Sequence, residues 1–188
     1  MAKSLVGNDP NPGNAIYRFA DTAVLSVSAA DAPIVVTSDE LDEQLLGTYE
    51  RLGLRPGMLE ALADIVERRW WPADVTFADA AAMAGAKALA EAGVDPSAVG
   101  LLIDTSVCRD HLEPSAAVDV HEQLGLGTAC LNFDLANACL GFVNGMQLGK
   151  LFVDVDAGQI DAEGVAYLFR ASYFYTNASY VIGSASLV

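Results

Sequence analysis

Positive charge is scarce in this chain. Ten Lys and Arg stand against 25 Asp and Glu over 188 residues, for a formal net charge of −15. A polymer of phosphates would be repelled before any specific contact formed, which excludes a nucleic acid partner. Histidine is nearly absent. His111 and His121 have neither finger nor HExxH spacing, so no metal centre is expected. No apolar run approaches the roughly 20 residues of a membrane span. The opening MAKSLVGNDPNPGN lacks an apolar h-region and reads as a mobile lead-in rather than a secretion signal. What is abundant is apolar side chain, at 53% of residues, which excludes disorder. The expectation is a soluble, cytoplasmic α/β protein with no membrane span.

Three cysteines form no CxxC pair. Cys108 and Cys130 read as small buried hydrophobes, whereas the place of Cys139 in the chain sets it apart.

The segment AVLSVSAA (23–30) alternates and is a plausible first strand. APIVVT (32–37) then runs toward a helix start, where Thr37 and Glu40 have capping-box spacing. Leu41, Leu45, Leu46 and Tyr49 share one face of that helix, which stops at Gly53. A second short helix is expected after Pro56, ending in the cluster Glu67-Arg68-Arg69-Trp70-Trp71. The alanine-rich Phe77–Ala92 is a strong helix closed by Gly93. Val99–Asp104 is a short apolar run suited to a strand buried on both faces. Pro114 is expected to open a helix reaching Leu124 and Gly125. LNFDL (131–135) is the next strand, followed at once by a long helix from about Ala138. Alternating strands and helices predict parallel pairing with right-handed crossovers. The last helix is apolar almost all round and so needs cover from something beyond one small sheet.

Cys139 lies between a buried strand and a helix N-terminus. Helix amides and the macrodipole favour a thiolate, and the same N–H groups stabilise a developing oxyanion. Ala136, Ala138 and Gly141 leave room for a substrate chain. From position alone, a nucleophile and an inert core thiol stand at even odds.

The run Asp134-Leu135-Ala136-Asn137-Ala138-Cys139-Leu140-Gly141-Phe142-Val143-Asn144-Gly145-Met146 resembles the active-site cysteine segment of the thiolase superfamily, in its ketoacyl synthase III-like branch. Thr105-Ser106-Val107-Cys108-Arg109-Asp110-His111-Leu112-Glu113-Pro114-Ser115 is similar to the OleA-like acyl-CoA condensing enzymes within that branch. Arg68-Arg69-Trp70 and residues 101–106 match in order and spacing, and the likeness covers roughly residues 22–160.

The resemblance implies an α/β fold that is the N-terminal half of a thiolase-like fold, a mainly parallel sheet with packed helices. Residues 1–21 would be the lead-in, 22–161 the half-fold and 162–188 a divergent tail. It implies that Cys139 accepts a fatty acyl group as a thioester. Glu113 would reach across a dimer and remove the α-proton of a second acyl-CoA, in a non-decarboxylative Claisen condensation to a β-keto acid for head-to-head olefin biosynthesis. In ketoacyl synthase III proper the position of Glu113 is typically apolar, since decarboxylation makes the carbanion there. A carboxylate just before a proline-started helix would be kept ionised by the helix amides, though an ordinary helix-start charge looks the same. Arg68, Arg69 and Trp70 would meet the CoA phosphates and adenine, their alternative being a solvated charge pair beside a core aromatic. No cofactor is implied beyond acyl-CoA as substrate. The histidine and asparagine that complete such a site belong to the family's second half and match no residue here.

His111 reads as a loop residue near the interface and His121 as a partly exposed helix residue. The aromatic stretch 167–188 does not read as the strand and acidic turn of the family. Two other readings stand beside the first: a decarboxylating condensation of the ketoacyl synthase III type, and a non-catalytic subunit lending Glu113 to a related condensing partner. The partner is then a second copy or a heterodimeric homologue.

Overall fold

The computed structural model describes residues 22–156, 166–173 and 176–184, with side-chain surroundings over 23–149. The lead-in at 1–21 lies outside the described residues. A five-stranded sheet has the order β1-β7-β6-β4-β5, from β1 (Thr22–Ala30), β4 (Val99–Asp104), β5 (Leu131–Asp134), β6 (Ala166–Tyr173) and β7 (Thr176–Ser184). Strand β4 runs parallel to both β5 and β6. The β6–β7 and β7–β1 pairs are antiparallel. The parallel arrangement expected from the alternation of strands and helices therefore holds around β4 and gives way at the β1 edge.

Strand β4 lies inside the sheet between β6 and β5 and is almost wholly buried, as its unbroken apolar run predicts. Its side chains divide between two cores, the alternation being interrupted by a register shift between Val99 and Leu101. On one face Val99 and Leu102 pack with α3 (Phe77–Ala92) and α4 (Ala116–Gln123), through Ala78, Ala81, Ala88, Leu89, Ala117 and Val120. On the other, Leu101 and Ile103 meet Phe133, Leu135 and the Phe142, Met146 and Leu148 side chains of α5 (Gly141–Asp156). Burying each such aliphatic side chain is worth about 1.5–3 kcal/mol. The face of α3 is mainly alanine, so the helix lies close against the sheet, and Ser26 Oγ donates to Ala88 O at 2.7 Å.

Both capping boxes form. Thr37 caps α1 (Ser38–Leu52) with Glu40, and Thr76 caps α3 with Asp79. Gly53 and Gly93 end those helices in the left-handed conformation. The Thr76 backbone N–H, and then its hydroxyl, hold the Asp79 carboxyl below its usual range.

Two expectations are corrected. The short helix α2 stops at Ala63 (Met58–Ala63), and Glu67–Trp70 forms strand β3 rather than the helix end. Its partner is β2 (Ile34–Thr37), antiparallel from Ile34↔Trp70 to Thr37↔Glu67. The β2 segment therefore carries the chain into the α1 cap as a strand. Pairing between segments some 30 residues apart in sequence overrides the local helical pattern. The helix after Pro114 begins at Ala116 with Ser115 as its N-cap, so the proline stands outside it.

On the described part of α5, one flank is packed while Val143 is 44% exposed, with Leu140 just ahead of the helix at 60%. Leu25 and Val27 of β1 are also exposed. The cover expected for this helix is thus absent among the described residues. None of those residues belongs to a helix long and apolar enough to cross a membrane.

Gly141 starts α5 against the end of β4, where an added Cβ would lie 2.9 Å from the Thr105 carbonyl oxygen and 3.3 Å from that of Leu135. Gly141→Ala should therefore cost about 1–3 kcal/mol. Gly47, inside exposed α1, would meet nothing, and Gly47→Ala should add about 0.5–1 kcal/mol. Denaturant midpoints followed by circular dichroism check both signs.

Candidate active site

Strands β4 and β5 are in register from Leu101↔Leu131 to Asp104↔Asp134. The Leu135 N–H extends the pairing to Asp104 O at 2.8 Å. The segment after β4 carries Glu113 and the segment after β5 carries Cys139, so both leave the same carboxyl edge of the parallel strands. That edge is where open α/β sheets place their ligand sites.

Cys139 sits in a single 3-10 turn, Ala138–Leu140, directly before α5, and it is exposed. Ala138 ahead of it has φ +42°, a left-handed conformation that costs a residue with a Cβ about 1–2 kcal/mol. The turn is tied to the helix by side-chain bonds. Asn137 Nδ2 donates to Asn144 Oδ1, and Asn144 Nδ2 to Gln147 Oε1 at 3.3 Å. The Leu140 N–H returns to Asn137 O at 2.9 Å. The thiol therefore stands at the start of the 16-residue helix α5.

Glu113 is exposed beside Leu112, which is 82% exposed, and is joined to Pro114 by a cis peptide bond. The expected support from helix amides is corrected here. The N–H groups of Ala116 and Ala117 donate at 2.9 Å each to Oδ2 and Oδ1 of Asp134. Ser115 makes no side-chain cap of its own. Asp134 Oδ2 also lies 3.1 Å from Arg109 Nε, and its side chain is only 9% exposed. Beside it in the sheet, Asp104 is buried and accepts from the Ser106 N–H at 3.0 Å and its hydroxyl at 2.7 Å. Neither Asp104 nor Asp134 stood out as a site residue in the sequence. The available signal was an aspartate ending each of two apolar strands, and the expected helix start at Pro114 left no place for a cap supplied from β5.

His111 is half-buried, with Nε2 3.6 Å from Asp119 Oδ2. His121 lies on α4 with Nε2 3.1 Å from Gly127 O. Cys130 is buried as expected, but Cys108 is exposed, a correction that follows from its place on the β4–α4 loop rather than on a strand. Among the described residues, no three His, Cys, Asp or Glu side chains are grouped to hold a metal.

The Arg68, Arg69 and Trp70 trio is split by strand alternation. Arg68 is buried and its Nη1 donates to Ser38 Oγ at 2.7 Å. Arg69 is exposed and pairs with Glu67 at 3.0 Å. Trp70, 42% exposed, walls a cleft of about 470 Å³ with Val35, Val36, Glu40, Glu43 and Gln44. Neither Cys139 nor Glu113 lines that cleft.

Comparison with known proteins finds no matching family model. An acyl-CoA:acyl-CoA alkyltransferase of Xanthomonas campestris is 43% identical over 143 residues, covering 76% of this chain and 42% of that one. A β-ketoacyl-[acyl-carrier-protein] synthase III of Bacillus pumilus is 32% identical over 120 residues, 64% of this chain and 36% of that one. The crystal structure of a cysteine-to-serine OleA from X. campestris, with bound lauric acid and lauroyl-CoA, superposes with a TM-score of 0.76 at 32% identity, covering 90% of this chain and 58% of that one. The chain thus spans less than half the length of the curated relatives it matches. Other structures of that OleA carry substitutions at a glutamate, which precedes its cysteine by the same separation as Glu113 precedes Cys139. Still others are substituted at a histidine farther from the N-terminus than this chain is long.

Burial pushes the Cys130 thiol up to about 11. Its protonated form is therefore favoured throughout the range from pH 7 to 9. At pH 8 a maleimide should modify Cys108 and Cys139 quickly and Cys130 only on unfolding, as read by intact mass. Rapid addition of three labels to the native protein would contradict the placement.

Proposed function

Since the chain belongs to the thiolase superfamily, in its ketoacyl synthase III-like branch, we propose that it carries the acyl-accepting cysteine and the base of an acyl-CoA condensing acyltransferase. The supporting observation is the in-register β4–β5 pair, which brings the Glu113 loop and the Cys139 turn to one edge. The Cys139 thiolate attacks the carbonyl of a long-chain acyl-CoA, and CoA thiolate leaves. The Glu113 carboxylate, acting across a dimer, takes the α-proton of a second acyl-CoA. The resulting carbanion attacks the Cys139 thioester, whose sulfur departs as thiolate. Water then releases CoA from the β-keto thioester to leave a β-keto acid, the precursor of head-to-head olefins. The acyl-CoA:acyl-CoA alkyltransferase likeness supports this reading, as does a carboxylate at position 113. A cytoplasmic setting belongs to the same proposal.

A decarboxylating condensation is the second reading, favoured by the likeness to a β-ketoacyl-[acyl-carrier-protein] synthase III. It needs no base at position 113.

The test is incubation of the chain with myristoyl-CoA followed by peptide mass spectrometry. A thioester on Cys139, absent in Cys139→Ser, is the expected outcome, and its absence in the parent protein would sink the reading. Any condensation of acyl-CoA pairs should fall by about 10²–10⁴ in Glu113→Gln while the adduct persists. Turnover with malonyl but not acyl-CoA pairs would select the second reading.

A further inference from the structure

We propose that Asp134 is a positioning residue for Glu113, fixing its loop at both ends; this rests on Glu113 being the base. One carboxylate binds Arg109, ahead of Glu113, and the N–H groups of Ala116 and Ala117, behind it. The intervening span is thereby closed on one half-buried carboxylate at the end of β5. Two further contacts hold the loop from outside. Asp110 Oδ2 accepts the Phe77 N–H at 3.2 Å, and His111 faces Asp119. Neither reaches the strand that leads to Cys139. Asp134 is different because five residues on, along the same backbone, comes Cys139.

Glu113 and Leu112 are exposed at the crown of the loop. Their placement is inherited from the anchored ends, because little packing holds the crown itself. An ångström of drift between a base and its target costs about 10²-fold in rate. Asp134 thus ties the Glu113 loop to the end of β5, while the Cys139 turn is held by its own bonds through Asn137 and Asn144.

Asp134→Asn keeps the shape and one acceptor. It sets an NH₂ against donors from α4 or Arg109, and it removes the charge that faces Arg109. The readout is loss of α-deuterium from dideuterated myristoyl-CoA in water by the full chain, measured beside the rate of Cys139 acylation. We expect Asp134→Asn to slow deuterium loss at least about tenfold while acylation stays within about twofold. Arg109→Gln should give a smaller loss, and Arg109→Lys should recover most of it. Unchanged deuterium loss in Asp134→Asn, or acylation falling in parallel with it, would overturn the proposal. Deuterium loss in the parent protein that is absent, or that survives Glu113→Gln, would instead overturn the base itself and this proposal with it. Should Asp134→Asn fail to fold, the Arg109 pair decides by the same criterion.

Discussion

A seam at the carboxyl ends of two neighbouring strands governs the rest of the site. Strands β4 and β5 stop in register, and the backbone leaving each must be satisfied without a further ladder. On one side of the sheet, Asp134 answers the first N–H groups of α4, which have no partner within the helix. On the other, α5 starts where only a glycine fits, against the Thr105 and Leu135 carbonyls. An oxygen pair and a missing methyl group therefore orient two helices on opposite faces of one edge. Moving either helix would carry the Glu113 loop or the Cys139 turn with it.

The two faces of the sheet are unequally finished. The α3–α4 side is closed by small side chains that permit near contact, with Ser26, Ser28 and Lys87 tying β1 and α3 together by polar bonds. The α5 side has one packed flank, and beyond it Leu140 and Val143 face outward, as do Leu25 and Val27 of β1. Apolar side chains exposed beside an exposed thiol and on β1 are what a thiolase-like half-fold would leave for a further layer to cover. The apolar pattern all round α5 carries the same message at the level of sequence.

What was legible follows how local each determinant is. The capping boxes at Thr37 and Thr76, the glycine stops at Gly53 and Gly93 and the buried β4 are each written within a few residues, and all can be read directly. Strand β3 was hidden because Glu67–Trp70 has no strand pattern of its own and gains its ladder only from β2. The start of α4 was misplaced because its cap comes from Asp134, 18 residues from Ala116. Cys139 and Glu113 were found through family likeness. Their common edge needed the register of two strands, which no single segment encodes.

Charge makes the proposed substrate an awkward guest, and this constrains how it would be held. CoA is anionic, and a chain of net charge −15 offers it no long-range attraction. The local basic groups give limited relief. Arg68 turns inward to Ser38, Arg69 is shared with Glu67, and Arg109 faces Asp134. The cleft beside Trp70 is walled by two glutamates and so disfavours phosphate. Affinity would then have to come from the acyl tail, at about 0.8 kcal/mol for each methylene taken out of water. A site built this way favours long chains over short ones whatever the headgroup. Apolar cover over α5 would then serve the proposed acyl tail as well as the exposed Val143 and Leu140.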